Sequence, residues 1–128
     1  MWSRWSLGIG GSAGCAGVAL GALAAHLGSH RFGPADLAAL ATASNYLLIH
    51  GLLLIALSAV QRQIASVALK LATLCAAGGI ICFGLAVSAR VWFDLPGLGR
   101  VAPFGGLAFM LAWAACVAAA LVQERDSI

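Results

Sequence analysis

Four long apolar stretches constrain the fold of this chain more than any other feature. They cover about residues 5–27, 45–60, 66–88 and 103–122, and short polar or turn-forming segments separate them. A helix of roughly 20 apolar residues is long enough to cross the hydrocarbon core of a bilayer. The pattern therefore predicts an all-α fold, an integral membrane bundle of four helices, with residues 1–128 forming one transmembrane domain.

The composition supports lipid as the solvent for most side chains. Hydrophobic residues make up 62% of the chain and charged residues only 9%, whereas soluble domains average about 25% charged residues. A soluble domain this short could not bury so much apolar surface. The first stretch is also too long for the core of a signal peptide, so we expect it to be retained as a span.

The connection after the first stretch contains turn-forming residues and a proline. Pro34 suits the first position of a helix, and Asp36 would then face the positive end of the helix dipole. The spacing of the residues that follow places four of them on one helix face: Leu37, Leu40, Ser44 and Leu47. We expect a short amphipathic helix here, running on into the second span. Pro103 can open the fourth span in the same way.

The basic residues are scattered at the ends of the apolar stretches. Four would lie on the face that carries both termini and three on the other: Arg4, Arg62, Lys70 and Arg125 against Arg31, Arg90 and Arg100. The positive-inside rule then favours cytoplasmic termini. No run of basic residues could follow a phosphate backbone, so we expect no nucleic acid as a partner.

Two ion pairs are predicted at the membrane interface. Arg90 and Asp94 are four residues apart at the exit of the third span, and we expect them to pair, with binding of a lipid phosphate by Arg90 as the alternative. Arg31 and Asp36 could pair in the connection between the first two spans. The cysteines form no C-x-x-C motif and lie inside apolar stretches, which is typical of small buried side chains rather than of a disulfide or zinc site.

Small residues recur at helical spacing and predict close helix packing. Gly10, Gly14, Gly17 and Gly21 form a stripe on the first span, and the fourth span opens with Gly105 and Gly106. Such residues let helix backbones approach closely in lipid. We expect the stripe to pack inside the bundle, and pairing with a second copy is the alternative.

Three motifs resemble those of the DUF423 family of small four-span membrane proteins. They are Gly21-Ala-Leu-Ala-Ala-His26, Tyr46-Leu-Leu-Ile-His50 and Gly99-Arg-Val-Ala-Pro103-Phe-Gly105-Gly106, in the family's order. The chain departs from the family at Leu47, which is usually glutamine, and at Ala102, which is usually threonine. The resemblance implies a four-helix membrane fold in a bacterial inner membrane and implies no particular activity.

A polar cluster of His26, Asn45, Tyr46 and His50 is the candidate site. If the connection folds back, His26 and His50 would lie near the same membrane face, because His26 ends the first span and His50 lies about one turn into the second. We favour a structural role in which each histidine bonds a backbone carbonyl. The alternatives are ligation of copper, zinc or haem iron, or the relay of a proton. In mid-span, Trp113 should find a hydrogen-bond acceptor or a packed neighbour.

No catalytic arrangement of residues is evident, so we expect neither an enzyme nor a bound cofactor. The preferred hypothesis is a structural or accessory subunit of a larger membrane complex, or a small homo-oligomer. A metal- or haem-binding module that uses His26 and His50 is the first alternative. A small transporter or channel is the second, and the lack of Asp or Glu inside the spans disfavours it.

Overall fold

The computed structural model describes residues 2–126 of the chain, except for the side chains of residues 2, 29 and 123–126. Four helical rods span its length. They are α1 (Trp2–His26), α2 (Pro34–Val60), a third rod made of α3 (Val67–Gly79), a π-helical segment (Ile80–Leu85) and α4 (Ala86–Phe93), and finally α5 (Ala102–Asp126). All four are long and apolar enough to cross a membrane, which confirms the predicted architecture.

Helix α2 is longer than the sequence indicated. A tight turn at Gly28–His30 and an extended Gly33 precede Pro34, which occupies the first turn of α2 together with Asp36. No proline or polar break follows until Gln61, so the helix continues without interruption. The segment predicted as a short amphipathic helix is continuous with the second span, as expected, and forms the first turns of α2, so that this helix begins at Pro34 rather than near residue 45. Of the four residues that share the predicted face, Leu40, Ser44 and Leu47 are buried and Leu37 is partly buried.

Local hydrogen bonds fix the ends of the third rod. The Ser66 hydroxyl accepts a hydrogen bond from the Leu69 amide and caps α3. The Gln61 side chain donates to the Leu69 carbonyl and to the Thr73 hydroxyl, both at 2.8 Å, and joins the end of α2 to α3. At the other end, Asp94 adopts a left-handed conformation with φ 53° and terminates α4. The 3₁₀ turn Pro96–Arg100 then leads to α5.

The rods pack as two antiparallel pairs. Helices α1 and α2 form one pair, α3 and α5 form the other, and α2 also contacts the third rod. Two serine hydroxyls join α1 to α2: Ser6 donates to the Leu54 carbonyl at 2.6 Å, and Ser44 donates to the Gly17 carbonyl at 2.7 Å. These bonds matter because lipid offers no alternative partner to a hydroxyl.

The predicted packing glycines divide into two groups. A Cβ at Gly10 would lie 2.6 Å from the Gly51 carbonyl oxygen, and one at Gly17 would lie 3.0 Å from the Ser44 carbonyl oxygen. Gly21 similarly contacts Ser44, and Gly105 packs against the backbone of Phe83. In contrast, the Cβ positions of Gly14 and Gly106 are open, so close packing does not require glycine there.

Four rods place the chain termini on one face of the membrane and the connections 27–33 and 94–101 on the other, which we call the loop face. Which face is cytoplasmic stays a prediction. Of the basic residues that support it, the Arg125 side chain lies outside the described part.

Candidate functional site

His50 lies at the centre of a cluster of polar and aromatic side chains between α2 and α5. It is only 4% exposed. Its Nδ1 atom lies 2.9 Å from the Tyr46 carbonyl oxygen, one turn earlier in α2. Its Nε2 atom lies 3.3 Å from the indole Nε1 of Trp113 in α5. The prediction that Trp113 finds an acceptor in mid-span is confirmed.

These two contacts define the tautomer of His50. An indole N–H can only donate, so Nε2 must accept and carry no proton. A carbonyl oxygen can only accept, so Nδ1 must carry the proton and donate to Tyr46. The neutral imidazole with its proton on Nδ1 therefore satisfies both contacts. This agrees with the predicted structural role, in which the histidine bonds a backbone carbonyl.

Two further aromatic rings, those of Phe109 and Tyr46, pack against the imidazole, and the ring of Phe83 packs against both of them. Phe109 stacks on His50, with ring centroids 3.5 Å apart and planes inclined by 16°. The Tyr46 ring lies 5.5 Å from both His50 and Phe109 and 4.7 Å from Phe83. We call these five residues the His50 cluster: Tyr46, His50, Phe83, Phe109 and Trp113. It joins α2, the π-helical segment and α5.

Small residues create the space for the two phenylalanines. A Cβ at Gly79 would overlap the Phe109 ring, and one at Gly105 would lie 2.5 Å from the Phe83 amide nitrogen. In the π-helical segment, Gly84 admits Leu47 of α2 just as closely. Sequence reasoning missed Phe83 and Phe109, because phenylalanine in an apolar span is not distinctive. The nearby glycines of the third and fourth spans were the available signal.

The structure does not bring the predicted polar cluster together. Tyr46 and His50 stack, but His26 is exposed at the end of α1. Gly51 packs against Gly10 and Ala13. At about 1.5 Å per residue, His26 therefore lies roughly 20 Å farther along α1 than the level of His50. The reason is the length of α2, which places His50 near the middle of the bundle rather than near the loop face.

Asn45 also lies apart from His50, because it faces outward from α2. It borders an open depression between α1 and α2 that small side chains line. No set of three or more histidine, cysteine or acidic residues that could hold a metal occurs among the described residues. With both ring nitrogens of His50 engaged, the cluster can hold helices together and fix their rotation.

The predicted ion pairs are replaced by a different one. Arg90 pairs with Asp36, with Nη2 and Oδ1 3.0 Å apart, and not with Asp94. The left-handed turn at Asp94 ends α4, whereas the start of α2 brings Asp36 to Arg90. The Arg31 guanidinium does not pair with Asp36 and lies instead over the rings of Phe32 and Trp92.

Comparisons with known proteins agree with this architecture. The sequence profile of the family described as protein of unknown function DUF423 matches residues 20–106. The UPF0382 inner membrane protein YgdD of Escherichia coli K12 is 31% identical over 135 residues, covering 100% of this chain and 98% of that protein. The Shigella flexneri protein of the same name matches equally well. No solved structure matches the chain significantly.

Proposed function

We propose that this chain, which belongs to the DUF423 family, is a non-catalytic inner-membrane subunit that assembles with further transmembrane helices, those of a larger complex or of its own copies. The observation that carries this proposal is the position of Asn45. Its side chain is exposed on α2, about 16 Å along the helix from Pro34. A hydrocarbon core is about 30 Å thick, so the carboxamide lies near the membrane midplane.

A carboxamide at that depth favours a protein neighbour over lipid. It offers two donors and an acceptor, and it makes no side-chain hydrogen bond within the described part of the chain. Lipid tails supply no partner, whereas an amide on another helix does. An Asn45 in each of two copies could bond reciprocally, because the group both donates and accepts.

The surroundings of Asn45 allow a helix to approach. On one side lie Gly21, Ala25 and Ala41, which with Asn45 border a depression of about 410 Å³. A second depression continues along the same seam toward Gly10 and Gly14. We call this surface the Asn45 seam. Small side chains at such a seam permit the close backbone contact on which helix association in lipid depends.

The metal- or haem-binding alternative has less support, since His26 and His50 lie apart and Nε2 of His50 accepts from Trp113. The transporter alternative still lacks an intramembrane carboxylate: the acidic residues Asp36, Asp94, Glu124 and Asp126 all lie near helix ends. The assembly proposal therefore remains the one that the geometry supports best.

Blue-native electrophoresis of the full chain, extracted from its own membranes in a mild detergent, tests the proposal. We expect a species larger than the monomer, and Asn45→Leu should shift it toward the monomer. Thr42→Val is the matched control, because Thr42 is also exposed on α2 but its hydroxyl donates to Ala38 of its own helix at 2.9 Å. A monomer at every concentration, for the wild type, would contradict the proposal. Mass spectrometry of the larger species would identify its subunits.

A further inference from the structure

A groove separate from the Asn45 seam lies on the opposite side of α1. It runs between the C-terminal half of α1 and α4. It has a volume of about 480 Å³, within the range of about 300–1,000 Å³ that is typical of small-molecule sites. Its apolar walls are Ala19 and Leu23 of α1 and Leu85 of the third rod, and Leu47 of α2 forms part of the lining. The groove opens toward the lipid and is separate from the Asn45 seam.

The groove changes character at the loop face, where Arg31, Ser88 and Trp92 line it. The rings of Phe32 and Trp92 meet edge to face, with centroids 5.0 Å apart and an interplanar angle of 85°. The Arg31 guanidinium carbon lies 5.4 Å from the centre of the Phe32 ring and 5.5 Å from that of Trp92. Cation–π attraction to both rings therefore holds the cation at the end of the groove.

Arg31 retains unused capacity for an anion. One N–H group donates to the Trp92 carbonyl over 3.5 Å, a long contact. Among the described residues no carboxylate lies within 4.0 Å of the guanidinium, because the neighbouring Asp36 pairs with Arg90. A guanidinium carries five N–H donors arranged to match phosphate oxygens. The site thus combines an oriented cation at the interface with an apolar groove that runs toward the membrane interior.

We propose that this groove binds one phospholipid from the leaflet on the loop face. Its phosphate accepts hydrogen bonds from Arg31, and one acyl chain lies along Ala19, Leu23 and Leu85. Both parts of the lipid match the site. The phosphate oxygens accept hydrogen bonds from the Arg31 guanidinium, as lipid headgroups do in basic pockets between spans, and the acyl chain fills the apolar groove. From the level of Leu85 to that of Trp92 the groove extends about 10 Å along the rod, so it accommodates part of one chain.

Native mass spectrometry of the delipidated full chain, titrated with phosphatidylglycerol in mild detergent, tests this proposal. We expect one tightly bound lipid per chain. Arg31→Gln should weaken its binding about tenfold or more, because a hydrogen bond to a charged group contributes about 1.5–3 kcal/mol. Ala19→Leu should also weaken binding by filling the groove. Arg100→Gln is the matched control, since Arg100 is exposed on the same face but does not line the groove.

Two further probes separate the parts of the ligand. Diacylglycerol with the same chains tests the groove without phosphate, and glycerol phosphate tests the cation without chains. Both should bind much more weakly than phosphatidylglycerol. Equal binding by diacylglycerol, equal loss in Arg100→Gln, or wild-type binding by Arg31→Gln would each overturn the proposal. Helix content measured by circular dichroism verifies that each variant is folded. Because the Asn45 seam is on the other side of α1, either proposal can fail without the other.

Discussion

The indole Nε1 of Trp113 lies 3.3 Å from Nε2 of His50, and this contact joins two helices in the middle of the bundle. It fixes the tautomer of the histidine, because the other ring nitrogen must then donate to the Tyr46 carbonyl. Stacking of Phe109 on the imidazole adds an apolar contact to the same junction. The relationship between Trp113 and His50 is therefore central to how α2 and α5 are held in register.

Trp113→Phe should lower the stability of the protein modestly, because it keeps an aromatic ring but removes the one donor to His50 Nε2 found among the described residues. We expect a loss of about 0.5–1.5 kcal/mol in the free energy of unfolding, measured in detergent by denaturant titration.

His50→Ala should lower the free energy of unfolding further, by about 2–4 kcal/mol, since it also leaves a cavity beside Phe109. A double-mutant cycle between His50→Phe and Trp113→Phe should give a coupling free energy of about 0.6 kcal/mol. No coupling would contradict the contact.

Gly10→Ala should destabilise the α1–α2 pair, whereas Gly14→Ala should not. The new methyl group of Gly10→Ala would overlap the Gly51 carbonyl oxygen, and the helices would have to separate. We expect a loss of about 1–3 kcal/mol. At Gly14 the same methyl group meets open space, and alanine is the better helix former by about 0.5–1 kcal/mol. Equal effects of the two substitutions on thermal unfolding would refute this packing.

Asp36→Asn should lower the free energy of unfolding slightly, and Asp94→Asn should leave it unchanged. The carboxylate of Asp36 pairs with Arg90, but the two side chains are 42% and 35% exposed, so screening limits the loss to about 0–1 kcal/mol. Asparagine tolerates the left-handed conformation found at Asp94. Unfolding at low and high salt provides the check: only the Asp36 variant should lose part of the salt dependence. A larger loss of stability in Asp94→Asn than in Asp36→Asn would contradict the Arg90–Asp36 pair and support the Arg90–Asp94 pair.

Purified protein should be colourless and hold no stoichiometric metal. We expect this because His26 and His50 lie far apart, and because both ring nitrogens of His50 already make hydrogen bonds. Absorbance spectra and elemental analysis of protein purified without a histidine tag provide the measurement. Metal or haem that is present in the wild type and lost in His50→Ala would reverse this expectation. His30→Ala, in the exposed turn after α1, is the control for adventitious binding.

Both termini should be cytoplasmic. The expectation comes from the distribution of arginine and lysine between the two faces, which is four against three. A fluorescent protein fused after Ile128 should then mature and fluoresce, and a phosphatase that needs the periplasm should be inactive at the same position. The opposite pattern would place the loop face in the cytoplasm and leave the packing of the bundle unaffected.

Much of the site could not be predicted, although its individual residues could be singled out. His50 and Trp113 both stood out because a polar group in an apolar span needs a partner. The sequence did not indicate that these two residues pair, because they are 63 residues apart and meet only when α2 and α5 pack with particular rotations. The same applies to Arg90: the sequence favours its local neighbour Asp94, whereas the structure pairs it with Asp36, 54 positions away.

Sequence alone determined that lipid is the solvent, that four helices span it and that several glycines mark close contacts, because these depend on composition and local periodicity. Only the tertiary structure decided which side chains meet. It separated His26 from His50, turned Asn45 outward and placed Arg31 at the end of a groove, because each of these outcomes depends on the length and rotation of neighbouring helices. Those quantities arise from packing over the whole bundle, which no short segment of the chain encodes by itself.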